Sequence, residues 1–242
     1  MTDETAFDRE RYDAAYPPGI ERHYWNRARA ELVAMTVQAL GMTGVVLDVG
    51  CGPGHVVAHL RALGVTCHGC DTGWASAVAG AEDACHYSAT PANLPEPLRE
   101  AVGTVLLLDV LEHLDDPVDL LAALPQTLPH LRHLVVTVPA APELWSSYDE
   151  YFGHRRRYTA PVLARDITTA GWQVVELRPL FAPLYWPARA LAAMGRKRAV
   201  RLQAPRGAAF AHWLAARVLV VTAGWGPGTS LIAVASRTAS TP

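Results

Sequence analysis

The residues best placed to do chemistry begin at Val45. Ten residues there pack a β-branched run, a tight turn and a helix start: Val45-Val-Leu-Asp48-Val-Gly50-Cys51-Gly52-Pro53-Gly54. Gly50 and Gly52 allow backbone angles and a close approach that a Cβ would block. Gly54 does the same at the helix entry, and Pro53 suits a first helical position. Backbone N–H groups at such a turn face a ligand. Alone, the turn indicates only a nucleotide-like ligand. Asp48 sharpens this, because a carboxylate two residues before the first glycine suits a cationic amino-acid group better than a pyrophosphate. Asp71 ends the next predicted strand, 21 residues after Gly50, where a carboxylate accepts both hydroxyls of a ribose. A structural or surface role is the alternative for each of the two acids.

Proton chemistry points to two histidines. His113 lies about one turn beyond a fourth predicted strand, and His154 heads the run His154-Arg155-Arg156-Arg157-Tyr158. An imidazole near neutral pKa takes a proton from a hydroxyl or a carbon acid, so each is a candidate base; packing or capping is the alternative for His113. Glu112 is expected to orient neighbouring backbone. The three arginines form either a solvated face or, with Tyr158, a site for an acidic substrate group. Trp145 and Tyr148 either pack beneath a substrate lid or stack on an acceptor or a cationic group.

Alternating strand and helix patterns must position these residues. Apolar residues at helical spacing (Leu32, Val33, Val37, Leu40) stop at Gly41. After the glycine turn, Val56, Val57, Leu60 and Leu63 form one helical face closed by Gly64. Further strands are expected at Val65–Cys70, Ala84–Ser88, Thr104–Leu108, Leu134–Val138, Trp172–Leu177 and Ser230–Ala235. Helices are expected at Val118–Leu124 and between Thr159, as N-cap, and Gly171. The repeating β-α-β pattern implies α/β architecture with a doubly wound, seven-stranded, mostly parallel sheet. The expected layout is a single domain with an N-terminal helical cap over 1–43, an α/β core over 44–180 and 228–238, and a helical insertion or lid over 181–227.

Composition narrows the class. Half of the 242 residues are hydrophobic, 18% are charged and the formal net charge is −2. That is a globular balance, with no global reason to expect a nucleic-acid partner. The acidic N-terminus has no signal-peptide character. The longest apolar stretch, about 208–223, is broken by His212 and Arg217 and is too short to span a bilayer. The insertion carries Tyr185, Trp186, Trp213 and Trp225 with Arg196, Lys197, Arg198, Arg201 and Arg206, which offers at most a peripheral membrane contact. Cys51, Cys67, Cys70 and Cys85 read as core thiols of a reducing compartment: Cys67 and Cys70 are three apart on a strand, hence on opposite faces. No Cys/His/Asp set at metal-binding spacing is present, so no metal is expected. A cytoplasmic location follows, and the oligomeric state is not encoded.

Several of these segments together resemble the class I S-adenosylmethionine (SAM)-dependent methyltransferases. They are Val46-Leu-Asp-Val-Gly-Cys-Gly-Pro-Gly54, Asp71 and Leu108-Asp-Val-Leu-Glu-His-Leu114. Pro142-Glu-Leu-Trp145, Asp149, Gly153-His-Arg-Arg-Arg-Tyr-Thr159 and Pro227-Gly-Thr-Ser-Leu-Ile-Ala-Val-Ala235 resemble a subgroup that includes ubiquinone-type O-methyltransferases. The resemblance implies SAM as cofactor, with Gly50 and Gly52 at its methionine part and Asp71 at its ribose. It places Asn93 at the adenine, Leu108 and Asp109 along the cofactor, and Cys51, Thr72 and Leu94 among the cofactor-binding residues. Arg29, in His23-Tyr-Trp-Asn-Arg-Ala-Arg29, is carried over as the partner of the cofactor carboxylate. Two departures stand out: Thr90-Pro-Ala-Asn93-Leu94-Pro95 lacks an acid common in the family, and Gly103 replaces the acid that opens strand four. The implied activity is methylation of a small-molecule acceptor, on oxygen, with a histidine base. N- or C-methylation of a small or lipid-linked acceptor, a nicotinamide oxidoreductase and a non-catalytic SAM-binding subunit remain alternatives.

Overall fold

A computed structural model describes residues 9–41, 44–194 and 208–237. Seven strands form one sheet: β1 Val45–Val49, β2 Cys67–Asp71, β3 Cys85–Tyr87, β4 Val102–Leu108, β5 His133–Pro139, β6 Trp172–Leu180 and β7 Ser230–Arg237. Their order is β3-β2-β1-β4-β5-β7-β6. The pairs from β3 through β5 are parallel, and β7 runs antiparallel to both neighbours. This is the doubly wound, mostly parallel sheet that the alternating pattern implies.

Both faces of the sheet are covered, and side-chain alternation shares the strands between two cores. Leu47, Val105, Leu107, Leu134 and Val136 point into one layer, with Leu121 and Leu124 of α5 (Pro117–Thr127) and Leu163 and Ile167 of α7 (Ala160–Thr169). Val46, Leu106, Leu108 and Val135 point into the other, with residues of α2 (Tyr24–Ala39) and α3 (His55–Ala62). Cys70 joins the first layer and Cys67 the second, as residues three apart on a strand should. All four cysteines are free thiols.

Shorter helices complete the ends: α1 (Arg9–Ala15), α4 (Glu96–Ala101) and α6 (Ser147–Tyr151). Expected details shift in places. Leu63 caps the end of α3 and is exposed, so the inward face of that helix is Val56, Val57 and Leu60. Thr159 holds the N-cap position of α7 without a side-chain capping bond.

The 181–227 stretch holds α8 (Ala182–Ala193) and α9 (Ala209–Val221). The basic cluster Arg196, Lys197, Arg198, Arg201 and Arg206 lies outside the described residues. Among the described residues, no helix is long and apolar enough to cross a membrane. Strand order reverses between β1 and β4, and a sheet of this type opens a crevice there, beyond the strands' C-terminal ends. Stability should track the two cores: Leu107→Ala is expected to lower the unfolding free energy by about 2–5 kcal/mol. Val175→Ala, on the exposed edge strand β6 (62% exposed), should change it by less than about 1 kcal/mol in the same urea titration.

Candidate active site

A cavity fills the crevice. Its walls are Tyr12, Ala15 and Tyr16, then Trp25, Asn26 and Arg29 of α2, and Val49, Gly50 and Gly52 of the glycine turn. Cys70 through Trp74, Ala89 through Pro91, and Leu108 through Val110 add the next face, with Leu120. His113, Leu114, Tyr148, Phe152 and His154 close the far end.

The glycine turn is crowded from above. Gly50 has φ +79° and Gly52 φ +53°. A Cβ on Gly50 would lie 2.8 Å from Val110 Cγ2, and one on Gly52 would lie 2.6 Å from the Tyr16 hydroxyl. Both the backbone angle and the space therefore require glycine. The turn is tied to β2 through Asp71, whose carboxylate accepts from Gly52 N–H (2.9 Å) and Gly73 N–H (2.7 Å). These bonds set Asp71 at the cavity wall with acceptor capacity to spare.

Two more acids stand close by. Asp109, at the end of β4, adopts φ +60°, a strained angle for a non-glycine residue and one that clusters at functional sites. It accepts hydrogen bonds from the Thr137 hydroxyl and from Arg29, whose guanidinium also lies 4.7 Å over the Trp25 ring. Asp48 sits behind the turn, 2% exposed, with its Oδ1 unpaired. Burial pushes its carboxyl up to about 7; Arg29 opposes the shift, and Asp71 and Asp109 add to it. Three acids thus face one arginine, an electrostatic excess that favours a cationic ligand.

The far end is built on a buried ion pair. Asp149 is fully buried and accepts from Arg157 Nε at 2.8 Å and from the Ser146 amide at 2.9 Å. The His154 Nδ1 lies 2.9 Å from the same carboxylate. Bonds to His154 and Arg157 outweigh the burial of Asp149 and hold it down at about 2. His154 meets His113 edge to face, with ring centroids 4.8 Å apart. Burial, then the neighbouring His154, lowers His113 to about 4 and keeps it neutral.

None of the three arginines lines the cavity, and only Arg155 is exposed. The Arg155 backbone N–H donates to the Glu112 carbonyl (2.8 Å) and its Nε to the His113 carbonyl (2.9 Å). Arg156 donates to the carbonyls of Leu114 and Asp115. Tyr158 is buried and its hydroxyl donates to the Leu111 carbonyl. These residues clamp the 111–115 turn that carries His113. Neither Arg155 nor Tyr158 lines the cavity, where the substrate-contact reading would put them. Glu112 does not orient backbone through its side chain: it is fully buried and neither carboxylate oxygen has a hydrogen-bond partner from another residue.

Other expected contacts move as well. The Asn93 Oδ1 accepts from Thr90 N–H (2.7 Å), capping the turn at Pro91–Asn93, and Leu94 packs into the core. Neither lines the cavity, where Ala89, Thr90 and Pro91 take that wall instead. Cys51 points inward, its sulfur 3.9 Å from that of Cys85. Trp145 lies with Trp186 and Arg189 in a separate groove. Among the described residues, neither α8 nor α9 lines the cavity. Arg29, Gly50, Gly52, Asp71, Thr72, Leu108, Asp109, His113, Tyr148 and His154 do meet in one cavity.

The comparisons agree with this geometry. A family described as "Methyltransferase domain" matches residues 21–177. The chain belongs to this methyltransferase family. It is a SAM-dependent methyltransferase, which sets aside the nicotinamide alternative. No curated protein matches its sequence. Among solved structures, it is similar to a putative methyltransferase bound to the Trm112 activator of Haloferax volcanii, at TM-score 0.56 and 16% identity over 97% of this chain and 99% of that one. It is also similar to magnesium protoporphyrin IX methyltransferase of Synechocystis PCC 6803 with bound S-adenosylhomocysteine (0.52; 16%; 95% and 93%). A third is the 1,6-didemethyltoxoflavin N1-methyltransferase of Burkholderia thailandensis (0.51; 19%; 95% and 87%). At these identities the likeness is one of fold.

The residues suit SAM, which carries an ammonium, a sulfonium and a carboxylate. The three acids match the cations, and Asp71 matches the ribose hydroxyls. Arg29 is the cation in the wall available to the carboxylate. Four aromatic wall residues, Tyr12, Tyr16, Trp25 and Trp74, were not singled out from sequence. A Tyr pair four apart marks one helical face, but nothing local says what that face covers. Asp48 supplies a pH test. Unfolded, it releases its proton near pH 4, whereas folded it keeps it to about 7. Stability of the cofactor-free methyltransferase should therefore fall as pH rises across that interval. Asp48→Asn should remove this component, read by urea unfolding at about pH 4, 6 and 8.

Proposed function

We propose that this methyltransferase modifies a hydroxyl oxygen of a small-molecule acceptor lying between Tyr148, Phe152, His113 and His154. The observation that carries this reading is the Asp149–His154 pair at 2.9 Å in the wall of the SAM cavity. SAM, when bound, supplies an electrophilic methyl group. The chain must hold the acceptor in line with that group, and a hydroxyl acceptor must also lose a proton.

Asp149 fixes the His154 ring through Nδ1, which leaves Nε2 as the nitrogen available to the acceptor. His154 is then the proton acceptor. Neutral His113 beside it hydrogen-bonds the acceptor without repelling an imidazolium through a second positive charge. Aromatic side chains at this end favour a flat acceptor. The exposed Trp74 indole, beyond Asp71, suits stacking on the adenine.

Oxygen is favoured over nitrogen by the lining. An amine arrives as a cation and calls for a carboxylate, whereas two imidazoles and aromatic rings face the acceptor here. The resemblance of Gly153–Thr159 to the ubiquinone-type O-methyltransferases fits the same reading. Similar structures include an N1-methyltransferase, so fold alone does not choose. The four free thiols fit a cytoplasmic, reducing setting.

Asp71→Ala should weaken SAM binding by roughly 10–100-fold in calorimetry, the worth of hydrogen bonds to a charged group; unchanged affinity would overturn the ribose assignment. Against a panel of phenols, catechols and amines, release of S-adenosylhomocysteine should be fastest with hydroxyl acceptors. His154→Ala should lower kcat about 10²–10⁴-fold with SAM affinity intact. Preference for amines, or an unaffected kcat, would refute the hydroxyl–histidine reading.

A further inference from the structure

Glu112 is the feature that the proton step above leaves unexplained. Its carboxylate is fully buried, and neither oxygen has a hydrogen-bond partner from another residue. An isolated buried carboxylate is costly and calls for a partner. Asp109, Arg29 and Asp149 act on it electrostatically, and the two histidines of the cavity wall lie beside it. One ligand atom each from Glu112, His113 and His154 lies within 4.8 Å of the others.

Both imidazoles are also held from behind. The His154 Nδ1 is bonded to Asp149, and the His113 ring hydrogen-bonds the Gly153 backbone. A second ring nitrogen tied to a carboxylate or to backbone is the arrangement that orients histidine as a metal ligand. Sequence spacing concealed the group, because Glu112 and His113 lie some forty residues before His154. Spacing alone therefore gives no sign of a metal site.

We propose that Glu112, His113 and His154 form a binding site for one divalent first-row transition cation at the acceptor end of the cavity. Two imidazoles with one carboxylate suit manganese through zinc better than magnesium or calcium. Three protein ligands leave coordination positions open toward the cavity, where an acceptor with one oxygen or two adjacent oxygens fits. This inference rests on the hydroxyl-acceptor reading and refines its proton step. A cation there draws the acceptor oxygen and makes its proton easier to lose. The O–H bond breaks with its electron pair left on oxygen, and the proton passes to water rather than to His154.

The test uses the full chain freed of metal with a chelator. Calorimetry with Mn²⁺ and Zn²⁺ should give one site per chain, and Co²⁺ should develop a visible ligand-field band. Glu112→Gln and His154→Ala should each weaken binding by at least about tenfold, since loss of even an outer partner costs that much. Retained SAM binding shows that each variant is folded. No binding of any of the three cations, or equal binding by wild type and both folded variants, would overturn the site. If chelated enzyme methylates hydroxyl acceptors at full rate while His154→Ala does not, the cation proposal fails and direct proton transfer to His154 stands. If no hydroxyl is methylated yet the cation binds as described, the site stands and the acceptor reading fails.

Discussion

The acceptor end of this cavity depends on the charge of Asp149. A carboxylate with no solvent exposure must be neutralised and hydrogen-bonded in place. Arg157, Ser146 and His154 do this together. Each partner belongs to a different stretch of backbone function: Ser146 starts α6, His154 faces the cavity, and Arg157 also donates to the Ala140 carbonyl at the end of β5. The next residue, Tyr158, bridges to Ala140 and reaches back to Leu111. Loops after β4 and β5 and the 153–158 segment are thereby fixed as one body. Truncating Arg157 would leave a buried charge unpaired, so the cost would fall on histidine geometry and on stability at once.

The buried acids fall into two groups. Asp149 has several partners, while Asp48 and Glu112 keep carboxylate oxygens without partners. A buried polar group left unpaired in a folded chain calls for an explanation. At the SAM end the excess is negative and spread over Asp48, Asp71 and Asp109, which suits a ligand carrying two cations. Arg29 prevents that excess from becoming general repulsion by pairing with Asp109 and lying on Trp25. At the acceptor end a single buried carboxyl group without hydrogen-bond partners from other residues lies beside two imidazoles. A hydroxyl acceptor alone offers that group no cation to pair with.

Much of the fold was legible because parallel strands buried on both faces read as apolar runs, and β4 and β5 are such runs. The glycine turn and Asp71 were legible because their chemistry is local. What failed was whatever depends on contacts distant in sequence. Arg155 and Arg156 look like a solvated charge run, yet they are spent on carbonyls about forty residues earlier. Asn93 matches a cofactor-contact position, yet its amide is used by a local cap that competes for the same atom. Strand order was not readable either, since β7 must cross between β5 and β6 to close the sheet.

Helices α8 and α9 of the insertion line no part of the cavity, yet they bear on one of its walls. His212 of α9 accepts from the backbone N–H of Tyr24, one of the unpaired donors at the start of α2. Arg217 pairs with Glu31 one face further along the same helix, and Ala216 and Leu219 pack into the core layer that α2 covers. Phe181, ahead of α8, lies against the Trp25 ring. Each of these contacts constrains α2, and α2 carries Trp25, Asn26 and Arg29 into the cavity wall. The Arg29–Asp109 pair joins α2 to the strained end of β4, so a shift of α2 would be felt first at the cofactor's charged end. Among the described residues, α8 and α9 thus pack behind the wall that α2 forms.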